Sequence, residues 1–82
     1  MADLDLLHTE NMTLVAYLNM SRFRHVQMVV RPDGHVLWSY AITPDLQGAI
    51  ASFNNRSALV EPVMFHRAIT KVRREMNDLL GR

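Results

Sequence analysis

Phe23-Arg24-His25-Val26-Gln27-Met28-Val29-Val30-Arg31-Pro32-Asp33-Gly34-His35-Val36-Leu37-Trp38-Ser39-Tyr40-Ala41-Ile42-Thr43 is the stretch that decides the fold. Two apolar runs flank Pro32-Asp33-Gly34. Proline presets the turn and glycine accepts positive φ, so residues 23–31 and 35–43 read as the arms of a β-hairpin. With a three-residue loop, Arg31 faces His35. Val30 then pairs with Val36, Met28 with Trp38, Val26 with Tyr40 and Arg24 with Ile42. One face of the ribbon is almost wholly apolar. The other carries Val29–Leu37, Gln27–Ser39 and His25–Ala41. A slip of one residue would mix the faces, so the pattern itself selects this register. A lone hairpin is marginal in water, so a further strand and helices are expected to cover the apolar face.

The neighbouring segments supply both. Upstream, Asp3-Leu4-Asp5-Leu6 alternates polar and apolar residues, and residues 2–9 read as a strand. Asn11 is a suitable N-cap for a helix from Met12 to Met20, with Leu14, Val15 and Leu18 on its apolar side. Downstream, Thr43-Pro44-Asp45 combines an N-cap, a proline at the first helical position and an acid in the first turn. Leu46, Ala49, Ile50 and Phe53 form that helix's stripe, and Asn54-Asn55 ends it. Residues 56–60 read as a loop whose Leu59-Val60 is expected to enter the core. Glu61-Pro62 opens a last helix running to about Leu80, some 27 Å long at the standard rise. Its apolar residues Phe65, Ile69, Val72, Met76 and Leu79 recur at heptad spacing, and Gly81 stops it. The expected fold class is α+β. A small antiparallel sheet, made of the hairpin 23–43 and an N-terminal strand, is packed by three helices in the order β-α-β-β-α-α, as one domain over residues 1–82.

The chain has 82 residues, 49% apolar and 21% charged, with no cysteine. Disulfide frameworks and thiolate metal sites are therefore excluded. No apolar run is long enough to span a bilayer. The start, Met1-Ala2-Asp3-Leu4-Asp5, carries acid where an export signal needs base, so a cytoplasmic location is expected. The formal net charge of +1 argues against a general polyanion binder. It conceals a division. Residues 1–55 hold three arginines against five acids, whereas residues 56–82 hold six basic residues against three acids.

The candidate chemistries differ in weight. No two of the four histidines have the i,i+4 spacing of a helical zinc site. In the register above, His25 and His35 lie about 20 Å apart by strand rise. No metal or cofactor is expected. No serine sits in a nucleophile-elbow context, and the carboxylates fall mostly at helix starts and a turn, so no catalytic residue is expected. Arg67, Lys71 and Arg74 form a cationic stripe on the last helix, which Arg56 or Arg73 could join. The stripe could lie against phosphates or be a solvated face, with Lys71 and Glu75 at helical pairing distance. Trp38 and Tyr40 fall on the core face of the ribbon, not on a base-stacking face. Val29 and Leu37 occupy the other face. Several of the six methionines have no evident core position, and methionine suits adaptable interfaces as well as core gaps.

Some of these stretches resemble a small domain family of unknown function found in phages, prophages and other bacterial genomes. They are Leu14-Val15-Ala16-Tyr17-Leu18 after a Thr9-centred start, a short hairpin at 25–30 and 36–40, and Phe53-Asn54-Asn55 closing the middle helix. Val60-Glu61-Pro62 then leads into Phe65 and a basic helix containing Val72. The likeness spans roughly residues 9–76. That family tends to place a glycine between its first helix and its hairpin, where this chain has Ser21-Arg22. The resemblance implies the same element order and a phage-type origin. It transfers no catalytic or ligand-binding residue.

The expected function is that of a non-enzymatic accessory binding module acting through a protein partner, plausibly as a homodimer. A host factor, a bacterial defence component or another phage protein would suit as partner. The alternative is a nucleic-acid-binding accessory protein using Arg67, Lys71 and Arg74.

Overall fold

A computed structural model describes residues 5–56 and 58–81. The chain is α+β, with elements β1 (Leu6–Thr9), α1 (Met12–Met20), β2 (Gln27–Val30), β3 (Val36–Ala41), α2 (Pro44–Asn54) and α3 (Pro62–Leu80). The expectation for residues 2–4 as strand lies outside the described residues.

The hairpin forms in the register that its hydrophobic pattern selects. Val30 faces Val36, Met28 faces Trp38 and Gln27 faces Ser39. The Arg31 amide donates to the His35 carbonyl (2.7 Å) and the Gly34 amide to the Arg31 carbonyl (2.9 Å). Gly34 has φ 86°, which closes the three-residue loop at no steric cost. The arms are shorter than 23–31 and 35–43. The Val26 amide donates to the Ser39 carbonyl at 2.7 Å, so Val26 and Gln27 both oppose Ser39, as in a β-bulge. The chain turns away there. Val26 is 57% exposed instead of facing Tyr40, and neither Arg24–Ile42 nor His25–Ala41 pairs among the described residues. β1 joins the other side of β3, with His8 opposite Ser39 and Thr9 opposite Trp38. The strand order is therefore β1-β3-β2, all antiparallel, with β3 in the centre.

Strand alternation puts Leu7, Met28, Val36, Trp38 and Tyr40 on one face. This face meets all three helices in one apolar cluster. Val15, Ala16 and Leu18 of α1, Leu46 of α2 and Val72 of α3 are sealed against Val36, Trp38 and Tyr40. Phe65, Ile69, Met76 and Leu80 pack around them. The heptad seam of α3 is thus consumed within the chain, chiefly against α1. It ends on Leu80, because Leu79 is 44% exposed. The expected burial of Leu59-Val60 is not found. Leu59 is 96% exposed, since the loop passes outside the cluster on its way to Glu61. The shortest extent of the molecule is 19 Å, about two layers. One layer is helical, and the other is a sheet whose second face has no helix over it.

The caps of α1 and α2 fall where the sequence places them, and Glu61, read only as a helix start, caps α3. Asn11, Thr43 and Glu61 accept first-turn amides of their helices. α3 ends on the left-handed Gly81, but the C-termini of α1 and α2 are less conventional. At the end of α1 the Phe23 amide donates to the Leu18 carbonyl and the Arg22 amide to the Asn19 carbonyl, which is a Schellman motif. Its left-handed residue is Arg22, at φ 70°. The left-handed residue after α2 is likewise an arginine, Arg56, at φ 63°.

Candidate functional site

Two surfaces remain once the core is assigned. The first is the uncovered face of the sheet. It carries Leu6 and His8 from β1, Leu37, Ser39 and Ala41 from β3, and Gln27 and Val29 from β2. Leu6, Leu37 and Ala41 are half-buried by their neighbours, and Val29 is 39% exposed. None of these side chains is a carboxylate, a lysine or an arginine. Val29 and Leu37, singled out from the sequence, lie directly opposite each other here.

At the centre of this face, His8 Nδ1 lies 2.7 Å from Ser39 Oγ. The distance would suit a nucleophile and its base. The surroundings do not. Ser39 is buried in mid-strand, and β3 is paired on both sides, so its amides are engaged in the sheet ladders. The pair instead ties β1 to β3. Among the described residues, no group of three or more His, Cys, Asp or Glu side chains could hold a metal ion.

The second surface is a groove of about 830 Å³ between the α1–β2 connection and α3. Arg22, Phe23, Arg24 and His25 form one wall, and Arg67 and Lys71 the other. Asn19, Met20 and Met64 contribute as well, and Glu75 is the one acid in the lining. The four cationic side chains are exposed, and none forms an ion pair with another described residue. Lys71 and Glu75, at pairing distance by sequence, are not joined. The Glu75 charge reaches Tyr40 instead. Burial, with Glu75 adding to it, pushes the Tyr40 hydroxyl up to about 12. Tyr40 donates to Asn19 Oδ1 at 3.1 Å, and His25 packs edge-on to its ring at 6.3 Å.

By contrast, the one arginine of the hairpin turn is neutralised. Arg31 pairs with Glu10 and lies 3.6 Å from Asp33. The His35 amide donates to Asp33 and holds its carboxyl below the usual range, with the Arg31 charge acting in the same direction.

The stripe expected on the last helix is therefore divided. Arg67 and Lys71 face the groove. With Arg74, His66 and Thr70 they also border a shallower depression of about 520 Å³. Arg73 lines neither depression. Arg56 follows α2 and is not in the groove lining. Arg22 and Arg24 were not singled out from the sequence. The available signal was Arg22-Phe23-Arg24-His25 itself, basic and aromatic residues interleaved just after a helix end.

The sequence matches a family described as a domain of unknown function, DUF5659, over residues 5–78. No curated protein and no solved structure matches it.

Proposed function

The chain belongs to the DUF5659 family of domains of unknown function, and we propose that it is a non-enzymatic accessory module acting through protein contacts at the uncovered sheet face. The observation that carries this reading is the one-sided packing. All three helices share one face of the sheet, which leaves Leu6, Val29, Leu37 and Ala41 on the other.

A second copy is the first partner. A face without a carboxylate, a lysine or an arginine has little charge with which to repel itself, and an isologous contact needs only a self-complementary patch. Its size sets the strength. Three strands of four to six residues give a flat footprint of roughly 250 Å², against ~800 Å² per partner in a stable complex. Association through this face belongs to the weak, transient class. A module that docks weakly on itself suits exchange for another protein. With the resemblance to phage and prophage sequences, that partner is a host factor, a defence component or another phage protein, met in the cytoplasm of a bacterial host. No helix among the described residues is long and apolar enough to cross a membrane.

Light scattering from micromolar to near-millimolar protein tests the reading. The mass should rise toward two chains at the upper end, and Leu37→Asp should abolish the rise while circular dichroism stays unchanged. A one-chain mass throughout would refute self-association and assign the face to a different protein. Affinity capture from a bacterial host, with the Leu37→Asp variant as negative control, would identify it.

A further inference from the structure

The groove on the helix side is independent of the sheet face. Cationic stripes on single helices are ordinary solvated surface. Here, however, two elements more than forty residues apart in the chain bring cations to one concavity. Arg22 and Arg24 stand on one wall and Arg67 and Lys71 on the other. Like charges brought together repel; Glu75 is the one acid among them, and these four cations have no ion-pair partner among the described residues. Arg22 also holds a left-handed backbone at φ 70°, a conformation that disfavours any residue with a Cβ.

We propose that this groove binds single-stranded nucleic acid. Three of its four cations are arginines, whose planar forks match phosphate oxygens two bonds at a time. Arg67 and Lys71 stand one helical turn apart, roughly 6 Å by rise, and can follow the phosphates of one strand. Phe23 and His25 line the same wall as Arg22 and Arg24, so rings stand beside the cations, where unstacked bases could lie. Both rings are half-buried; Phe23 packs against the core cluster, and His25 stands nearly perpendicular to the Tyr40 ring. A groove of this kind takes a strand and its bases, whereas a duplex would present only its backbone. The near-neutral chain supplies no long-range basic field, so binding is confined to this groove.

Fluorescence anisotropy with a labelled oligothymidylate and a labelled oligouridylate tests the proposal. Four phosphate contacts on a single strand give a slope of about −3 in log affinity against log salt, roughly a 50-fold loss between 50 and 200 mM. Arg67→Glu with Lys71→Glu should abolish binding. Arg22→Gly is the informative variant, because glycine suits the left-handed position and the fold should be at least as stable. It should reduce the slope to about −2 and the salt loss to roughly 20-fold. Arg73→Glu makes the same charge change outside the groove as each of the two glutamate substitutions, and should leave the slope unaltered. The proposal is overturned by no binding at 50 mM salt, or by an Arg22→Gly slope equal to the parent's. It is also overturned if an equally charged poly-glutamate binds as well as the oligonucleotides, or if a duplex of the same length binds more tightly.

Discussion

Tyr40 shows how much one side chain can couple. It is sealed in the core, donates to Asn19, meets the edge of His25 and feels Glu75. Its hydroxyl is pushed up to about 12, whereas an unfolded tyrosine releases its proton near 10. The folded state therefore retains a proton that the unfolded state has lost. The stabilisation from this group is complete below about pH 10 and disappears as pH rises through about 12. Urea midpoints from pH 8 to 12 should decline more steeply for the parent than for Tyr40→Phe. That variant should also lose about 1 kcal/mol at neutral pH with the Asn19 hydrogen bond. Parallel curves would contradict the assignment. The burial of Tyr40 is legible in the hairpin's alternation. The left-handed arginine is not. A helix pattern ending in Ser21-Arg22 marks a stop without saying which residue takes positive φ.

At the scale of elements, local chemistry carried most of the information. Asn11, Thr43 and Glu61 occupy cap positions because short polar or acidic side chains can reach first-turn amides, and each helix starts there. Helical phase was less decisive at the far end. Leu79 and Leu80 lie on either side of the α3 stripe, and packing against the core cluster, not periodicity, selects Leu80. The exposure of Leu59 escapes the sequence for a related reason. An apolar residue in a short loop has no period to show which way it faces. The two cases give a paired expectation. Val72→Ala removes two buried methyl groups from the contact between α3 and α1 and should cost about 2 kcal/mol. Leu59→Ala should change stability by less than about 0.5 kcal/mol. Chemical denaturation of both variants checks this, and a large loss for Leu59→Ala would mean that the loop is covered in solution.

For the whole molecule, the relevant fact is that a short chain leaves one sheet face without a second layer. If copies meet there, association and folding are linked. At a concentration ten times the dissociation constant the linkage adds about 1.4 kcal/mol, and each kcal/mol moves the melting temperature of a domain this size by roughly 4–8 °C. Raising the protein from about 10 μM to about 1 mM should therefore raise the midpoint by several degrees, and an unchanged midpoint would argue against it. The open face could be anticipated from the ribbon's two-sided pattern. The groove could not, because it exists only where the α1–β2 connection and α3 meet. The strand order also governs the sequence of folding events. β2 and β3 are joined by a tight turn and can zip together within microseconds. β1 is made first but pairs with the far side of β3, across a loop of about thirty residues that contains α1. Closing that loop carries an entropic cost that the hairpin escapes. As the chain leaves the ribosome, the N-terminal strand must wait unpaired until β3 emerges, and the sheet is completed from its newest strand back to its oldest.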